Sequence, residues 1–254
     1  MNIVKIMKKV ILSLLIIAFA SCKKKLELEN KPVEINVSNH KTNIVSKSKV
    51  LTAKEQQALK PDDVIIELKE GNKRYITNSL TKRDHSALVR DAVKGQFPKA
   101  VVLSCIDSRV PVEDVFDCGI GDLFVCRVAG NFANEDILGS MEYGCKVSGA
   151  KLIIVIGHRY CGAVKSAIDD VQLGNITAML AKIKPAVAMS KDFVGDKSTK
   201  NYDYVTFVAI NNVKNTIAEI RKKSPILKQM EADGEIKIVG AGYDLDTGEI
   251  KFLE

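Results

Sequence analysis

Hydrophobic positions along the chain change character near residue 99. Before it, Val64, Ile65, Leu68 and Tyr75 keep a helical stripe that begins at Lys60-Pro61-Asp62-Asp63, with Pro in the first turn and acids favoured by the helix dipole. Gly71 is expected to interrupt that stripe, and a second short helix is expected from about Ser86 to Val93, with His85 at its start beside Asp84. After residue 99, short runs over residues 100–103, 122–128 and 151–156, apolar but for Asp122, Arg127 and Lys151, read as strands buried on both faces. Helical patterns separate and follow them: Ile137, Leu138 and Met141; Ala163, Val164, Ala167, Ile168 and Val171; and a long one from about Asn201 to Lys223. The chain closes with runs over 236–240 and 250–253 around the turn Asp246-Thr247-Gly248, the pattern of a hairpin. The expected fold is α/β: a mostly parallel central sheet flanked by helices, with an N-terminal helical arm and a C-terminal β-hairpin. Residues 185–200 are polar after Pro185 and read as a surface excursion.

The first 51 residues follow neither pattern. Lys5, Lys8 and Lys9 precede the apolar run 10–19, which is a secretory leader in form and too short to span a bilayer. Ala20-Ser21-Cys22 follows and resembles a bacterial lipoprotein cleavage site, with Phe19 where Leu is usual. That resemblance implies a signal peptide over 1–21, an acylated Cys22 opening a tether over 22–51, and a catalytic domain over 52–254. It further implies export, with a lipid holding the chain to a bacterial membrane on the periplasmic side. His40 lies in the tether with no second ligand near it in sequence.

Composition narrows the function. The 254 residues carry a net charge of +7, part of it from the leader lysines, and contain no Trp. No basic run is interleaved with aromatics, so a nucleic-acid partner is not expected.

Two expected strands end in reactive residues, at the end of a parallel sheet where ligands bind. The first leads into Ser104-Cys105-Ile106-Asp107-Ser108-Arg109-Val110-Pro111 and the third into Gly157-His158-Arg159-Tyr160-Cys161-Gly162-Ala163. Two thiolates and one imidazole suit Zn²⁺, and three protein ligands leave a fourth position open, as a catalytic site requires. Cys161 opens a helix, where the dipole favours its thiolate. Arg109 can pair with Asp107 and fix it as an acceptor for a zinc-bound water. Taken one at a time, these fragments are equally compatible with buried thiols at strand ends and an Asp–Arg turn pair.

Together with Gly121-Asp122-Leu123-Phe124-Val125-Cys126-Arg127-Val128-Ala129-Gly130-Asn131, the two loops resemble the signature of the β-class carbonic anhydrases, in its bacterial branch. The resemblance implies one Zn²⁺ per chain on Cys105, His158 and Cys161, with Asp107 and Arg109 as the catalytic pair. It implies reversible hydration of carbon dioxide to bicarbonate and a proton by a zinc-bound hydroxide, and a backbone N–H of Gly162 offered to the bound anion. It also implies a homodimer or higher even oligomer, and a closed state in which Asp107 becomes the fourth ligand. Hydrolysis of carbonyl sulfide or carbon disulfide on the same scaffold, and a zinc module without catalysis, are the alternative readings. Gly119 stands where plant-type members carry Gln, the missing Trp argues against one form of bicarbonate regulation known in some bacterial members, and Ile106 replaces the usual Ser, expected to face the scaffold. Cys118, Cys126 and Cys145 are read as structural thiols, and Tyr160 as either shaping the cleft mouth or lying on the surface.

Overall fold

A computed structural model describes residues 49–253. The leader, Cys22, His40 and all of the tether before residue 49 lie outside them.

Three helices come first: α1 (Ala53–Ala58), α2 (Pro61–Ile76) and α3 (His85–Ala92). Thr52 caps α1 in a reciprocal box with Glu55, and Asp84 caps α3 by accepting from the Ala87 N–H at 2.9 Å. Gly71 does not interrupt α2. It lets the helix lie against the backbone of Phe116, where an added Cβ would come 1.9 Å from the carbonyl oxygen. The glycine in the sequence therefore marks a close approach and not a break.

The sheet contains β1 (Ala100–Ser104), β2 (Leu123–Arg127), β3 (Leu152–His158), β4 (Lys237–Tyr243) and β5 (Ile250–Phe252), in the order β2-β1-β3-β4-β5. Four strands are parallel, and β5 returns antiparallel to β4 as the expected hairpin. Every residue of β1 and β3 is buried, because both strands are central and covered on both faces. β2 is only half-buried, contrary to its apolar pattern, because it occupies an edge of the sheet. Alternate side chains of the central strands divide between two cores. Val101, Leu103, Ile153 and Val155 pack with Met141, Val213, Ile217 and Ile220, while Val102, Ile154 and Ile156 pack with Val64, Leu68 and Phe116. Each such aliphatic side chain stabilises the fold by roughly 1.5–3 kcal/mol relative to exposure.

The connecting helices are α4 (Val112–Val115), α5 (Glu135–Glu142) continued by a π-helical turn (Tyr143–Val147), α6 (Gly162–Ile168), α7 (Gly174–Leu180), α8 (Lys184–Met189), α9 (Tyr202–Lys223) and α10 (Pro225–Ala232). Residues 185–200 are not wholly a surface excursion. Pro185 sits in the first turn of α8, Ala186 is buried, and Ser190 is buried with its hydroxyl bonded to Ala186 and Asn211. α8 packs on α9, in a third core with Val164, Leu180, Ile183, Val205 and Val208. Among the described residues no helix is long and apolar enough to cross a membrane.

Candidate metal centre

β1 and β3 are hydrogen-bonded neighbours with Leu103 opposite Val155, so their C-terminal loops leave the sheet side by side. Cys105 follows β1, His158 ends β3, and Cys161 is the N-cap of α6. The register brings together three residues that are 53 and 56 positions apart in sequence: both sulfurs and a ring nitrogen of His158 lie within 4.8 Å of one another, and all three residues are buried.

The imidazole is oriented for ligation. His158 Nδ1 lies 2.8 Å from the Arg159 carbonyl oxygen, which can only accept, so the proton resides on Nδ1 and Nε2 carries a lone pair. Nε2 is buried and has no hydrogen-bond partner. An unpaired buried acceptor costs about 1–3 kcal/mol, and a cation shared with two thiolates removes that cost. The S₂N donor set suits zinc, and the residues fit it.

The two thiols behave as a pair. Cys161 donates to Cys105, and this bond is the main reason that the Cys105 thiol ionises far below its ordinary range; burial opposes the shift, and the Gly130 N–H supports it. Gly130 donates to the Cys105 sulfur at 3.4 Å. Cys161 is pushed the other way by that same bond, by burial and by the charge on Cys105. Two thiolates this close repel each other, so a cation between the sulfurs would favour both charges.

Asp107 lies at the edge of this group, gripped by Arg109. Arg109 Nε donates to Oδ1 at 2.9 Å and Nη2 to Oδ2 at 2.8 Å, and the Arg109 backbone N–H adds a bond to Oδ1 at 2.9 Å. The guanidinium bond is the largest cause that holds the carboxyl down to about 2. Asp107 Oδ2 is 3.9 Å from His158 Nε2, so the carboxylate faces the group but is bonded to Arg109. Arg127, quoted in the sequence signature without a role, supports the whole loop: its Nε donates to the Cys105 carbonyl at 2.9 Å and its Nη2 to the Asp107 carbonyl at 2.5 Å.

Around the centre, an added Cβ on Gly162 would meet nothing within 4 Å, so its backbone borders open space at the start of α6. Ile106 does not face the scaffold; it is 61% exposed, because the loop turns its side chain outward between two inward-facing neighbours. Tyr160 has a left-handed backbone (φ +58°) and ties its loop to the terminal hairpin, with its hydroxyl donating to Asp246 at 2.8 Å beside an Arg159–Asp246 bond of 2.6 Å. Gly119 serves a turn, donating its N–H to Asp122 at 2.7 Å. Cys118 and Cys145 are buried, and burial pushes both thiols up to about 12; Cys126 is raised for the same reason. All five described cysteines are free. His85 is exposed on α3 and belongs to no metal-capable group among the described residues.

A sequence profile of the carbonic anhydrase family matches residues 100–250. The chain is 33% identical over 187 residues to carbonic anhydrase 2 of Mycobacterium tuberculosis, a match covering 71% of this chain and 87% of that one. It is 33% identical over 190 residues to the carbonic anhydrase of Mycolicibacterium smegmatis, with 72% and 89% covered. Its fold is shared with one of two tetrameric β-carbonic anhydrases from the filamentous ascomycete Sordaria macrospora, at a TM-score of 0.59 and 23% identity over 66% of this chain and 86% of that one.

Proposed function

Because the chain belongs to the β-class carbonic anhydrase family of enzymes, we propose that it catalyses the reversible hydration of carbon dioxide at one zinc ion held by Cys105, His158 and Cys161. The observation that carries this reading is the buried, unpartnered His158 Nε2 grouped with two thiol sulfurs, with a carboxylate oxygen 3.9 Å away that is bonded to arginine. A structural zinc needs no such carboxylate, which counts against a module without catalysis. Bound zinc supplies the Lewis acidity that brings the ionisation of water near neutral pH.

The remaining work falls to the chain's own residues. As the attacking water gives up one proton to solvent, Asp107 accepts its other O–H and so directs the oxygen lone pair at carbon dioxide. Arg109 keeps Asp107 ionised and bonded to its own guanidinium, so the carboxylate would not compete with water for an ion held by the three donors. The Gly162 N–H, at the start of α6 and beside open space, donates to an oxygen of the bicarbonate formed. The hydrogen bond from His158 Nδ1 to the Arg159 carbonyl holds the ring in the tautomer the site needs.

Two wider readings accompany this one. The chain acts as a homodimer or higher even oligomer, supported by the edge position of β2 and by Tyr143 exposed beside it. It is exported and lipid-anchored through Cys22, facing the periplasm, supported by the basic and then apolar leader ending in Ala20-Ser21-Cys22. The catalytic reading is tested by exchange of ¹⁸O between labelled bicarbonate and water, using the full chain in detergent. Exchange that disappears on chelation and returns with zinc supports it, and exchange indifferent to chelation contradicts it. Carbonyl sulfide offered to the same preparation distinguishes the alternative substrate.

A further inference from the structure

Two side chains one turn apart on α9 hold a left-handed turn against the cysteine that follows β1. Gly130 and Asn131 both have positive φ, +79° and +41°. At Gly130 a side chain is excluded as well, since an added Cβ would lie 2.3 Å from Ile183 Cδ1. Asn131 does carry a Cβ, and a left-handed residue of that kind costs on the order of 1 kcal/mol, which the surroundings must offset. Asn212 Nδ2 donates to the Gly130 carbonyl at 2.7 Å, and Thr216 Oγ1 donates to the Asn131 carbonyl at 3.3 Å. The i,i+4 spacing puts both donors on one face of the helix, over consecutive carbonyls. From the same turn, the Gly130 N–H reaches the Cys105 sulfur at 3.4 Å.

We propose that Asn212 and Thr216 are positioning residues for the metal centre, holding the Gly130 N–H on the Cys105 sulfur and thereby fixing that ligand in place. The role rests on the zinc reading given above. Asn212 is fully buried, and its Oδ1 has no partner. An aliphatic residue would fill the same space without a stranded acceptor, so the amide is explained by what its nitrogen does: it holds the Gly130 carbonyl. The neighbouring Asn211 shows the contrast, since its amide donates to Ser190 Oγ at 2.8 Å and has no bond to the turn.

The test compares Asn212→Ala, Asn211→Ala and Thr216→Val in the full chain. Zinc affinity is measured by competition with a chromophoric chelator, and the sulfur-to-metal charge-transfer band is recorded after cobalt substitution. Partners of metal ligands are typically worth 10–100-fold in affinity. Asn212→Ala is expected to weaken zinc binding by about that factor and to shift the cobalt band, whereas Asn211→Ala, which loses an equally buried bond on the same helix, keeps both at wild-type values. Thr216→Val preserves side-chain volume and removes only the hydroxyl, so it reports even where Asn212→Ala yields no folded chain; a several-fold weakening is expected. Wild-type affinity and an unchanged band in Asn212→Ala, or in Thr216→Val where that variant alone folds, overturn the proposal and leave the metal centre standing. A wild-type chain that binds no zinc, or a Cys105→Ser chain that binds it as tightly as wild type, overturns the metal reading and this role with it.

Discussion

Arg109 grips Asp107 through both carboxylate oxygens, at 2.9 and 2.8 Å, two residues along the same loop and with the carboxylate facing His158. An ion pair this close in sequence is pre-organised by the turn, and a further bond from the Arg109 backbone locks it. Either member's removal should therefore disturb the chemistry more than the fold.

Asp107→Ala is expected to lower carbon dioxide hydration by about 10²-fold or more, because the attacking oxygen loses the acceptor that orients it. Zinc content should stay at the wild-type level, since none of the three donors is touched. Stopped-flow turnover with metal analysis of the same sample checks this, and unchanged turnover would remove Asp107 from the mechanism.

Arg109→Ala should raise the Asp107 carboxyl from about 2 toward its ordinary range, since the lost hydrogen bond is the largest cause of the shift. The wild-type carboxylate stays ionised well below pH 4, so its protonation cannot produce an acid limb near neutrality. An NMR titration of the Asp107 carboxyl in both proteins follows the change directly, with an upward displacement in the variant as the expected result.

Loss of a ligand should abolish metal binding without unfolding the sheet. Cys161→Ser and His158→Ala are expected to bind zinc far more weakly than wild type and to lose activity with it, while circular dichroism stays close to that of the parent. Full zinc occupancy in either variant would mean that the ion, if bound, sits elsewhere.

Asp117 anchors a second cluster, remote from the chemistry. Its fully buried carboxylate accepts from Arg74, Arg83 and both the backbone and hydroxyl of Thr81. Burial acts to raise its pKa, but the bonds from Arg74 and Thr81 and the charge of Arg83 outweigh it, and the net shift is downward. A lowered carboxylate contributes stability that is complete above its unfolded value near 4 and is lost as pH falls through the folded one. Asp117→Asn should therefore cost about 3 kcal/mol at pH 7, since Arg74 loses its charged partner and the buried Arg83 keeps only the exposed Asp114 at 3.4 Å, and the gap to wild type should narrow below pH 4. Denaturant unfolding from pH 7 to 3 measures it.

A clickable palmitate analogue supplied to cells expressing the full chain should label it, and Cys22→Ala should abolish the label. An unlabelled mature protein would refute lipid attachment.

Much of the site was legible because its parts sit where strong local signals end. The uninterrupted runs of β1 and β3 stop at Cys105 and His158, and a parallel sheet carries such residues to one edge. The supporting bonds were not legible, because they link distant positions through backbone groups. Arg127 reaches carbonyls 20 and 22 residues back, and Asn212 and Thr216 reach carbonyls 82 and 85 residues back, with only an i,i+4 pair of small polar residues on an apolar helix face as a clue. Gly71 misled because a glycine that permits close packing looks the same in sequence as one that ends a helix. α7 and α8 were hidden by their brevity and by Gly174 and Pro185 at their starts, where only burial against α9 makes helix the stable choice. The apolar pattern of β2 suggested double burial, and its edge position is a property of strand order that the run itself does not encode.

Stopped-flow carbon dioxide hydration by the full chain from pH 7 to 9, with zinc quantified in the same sample, tests the central claim most directly. The account predicts activity that scales with zinc and saturates at one ion per chain. Zinc bound at one per chain with no hydration at any pH in that range would contradict it.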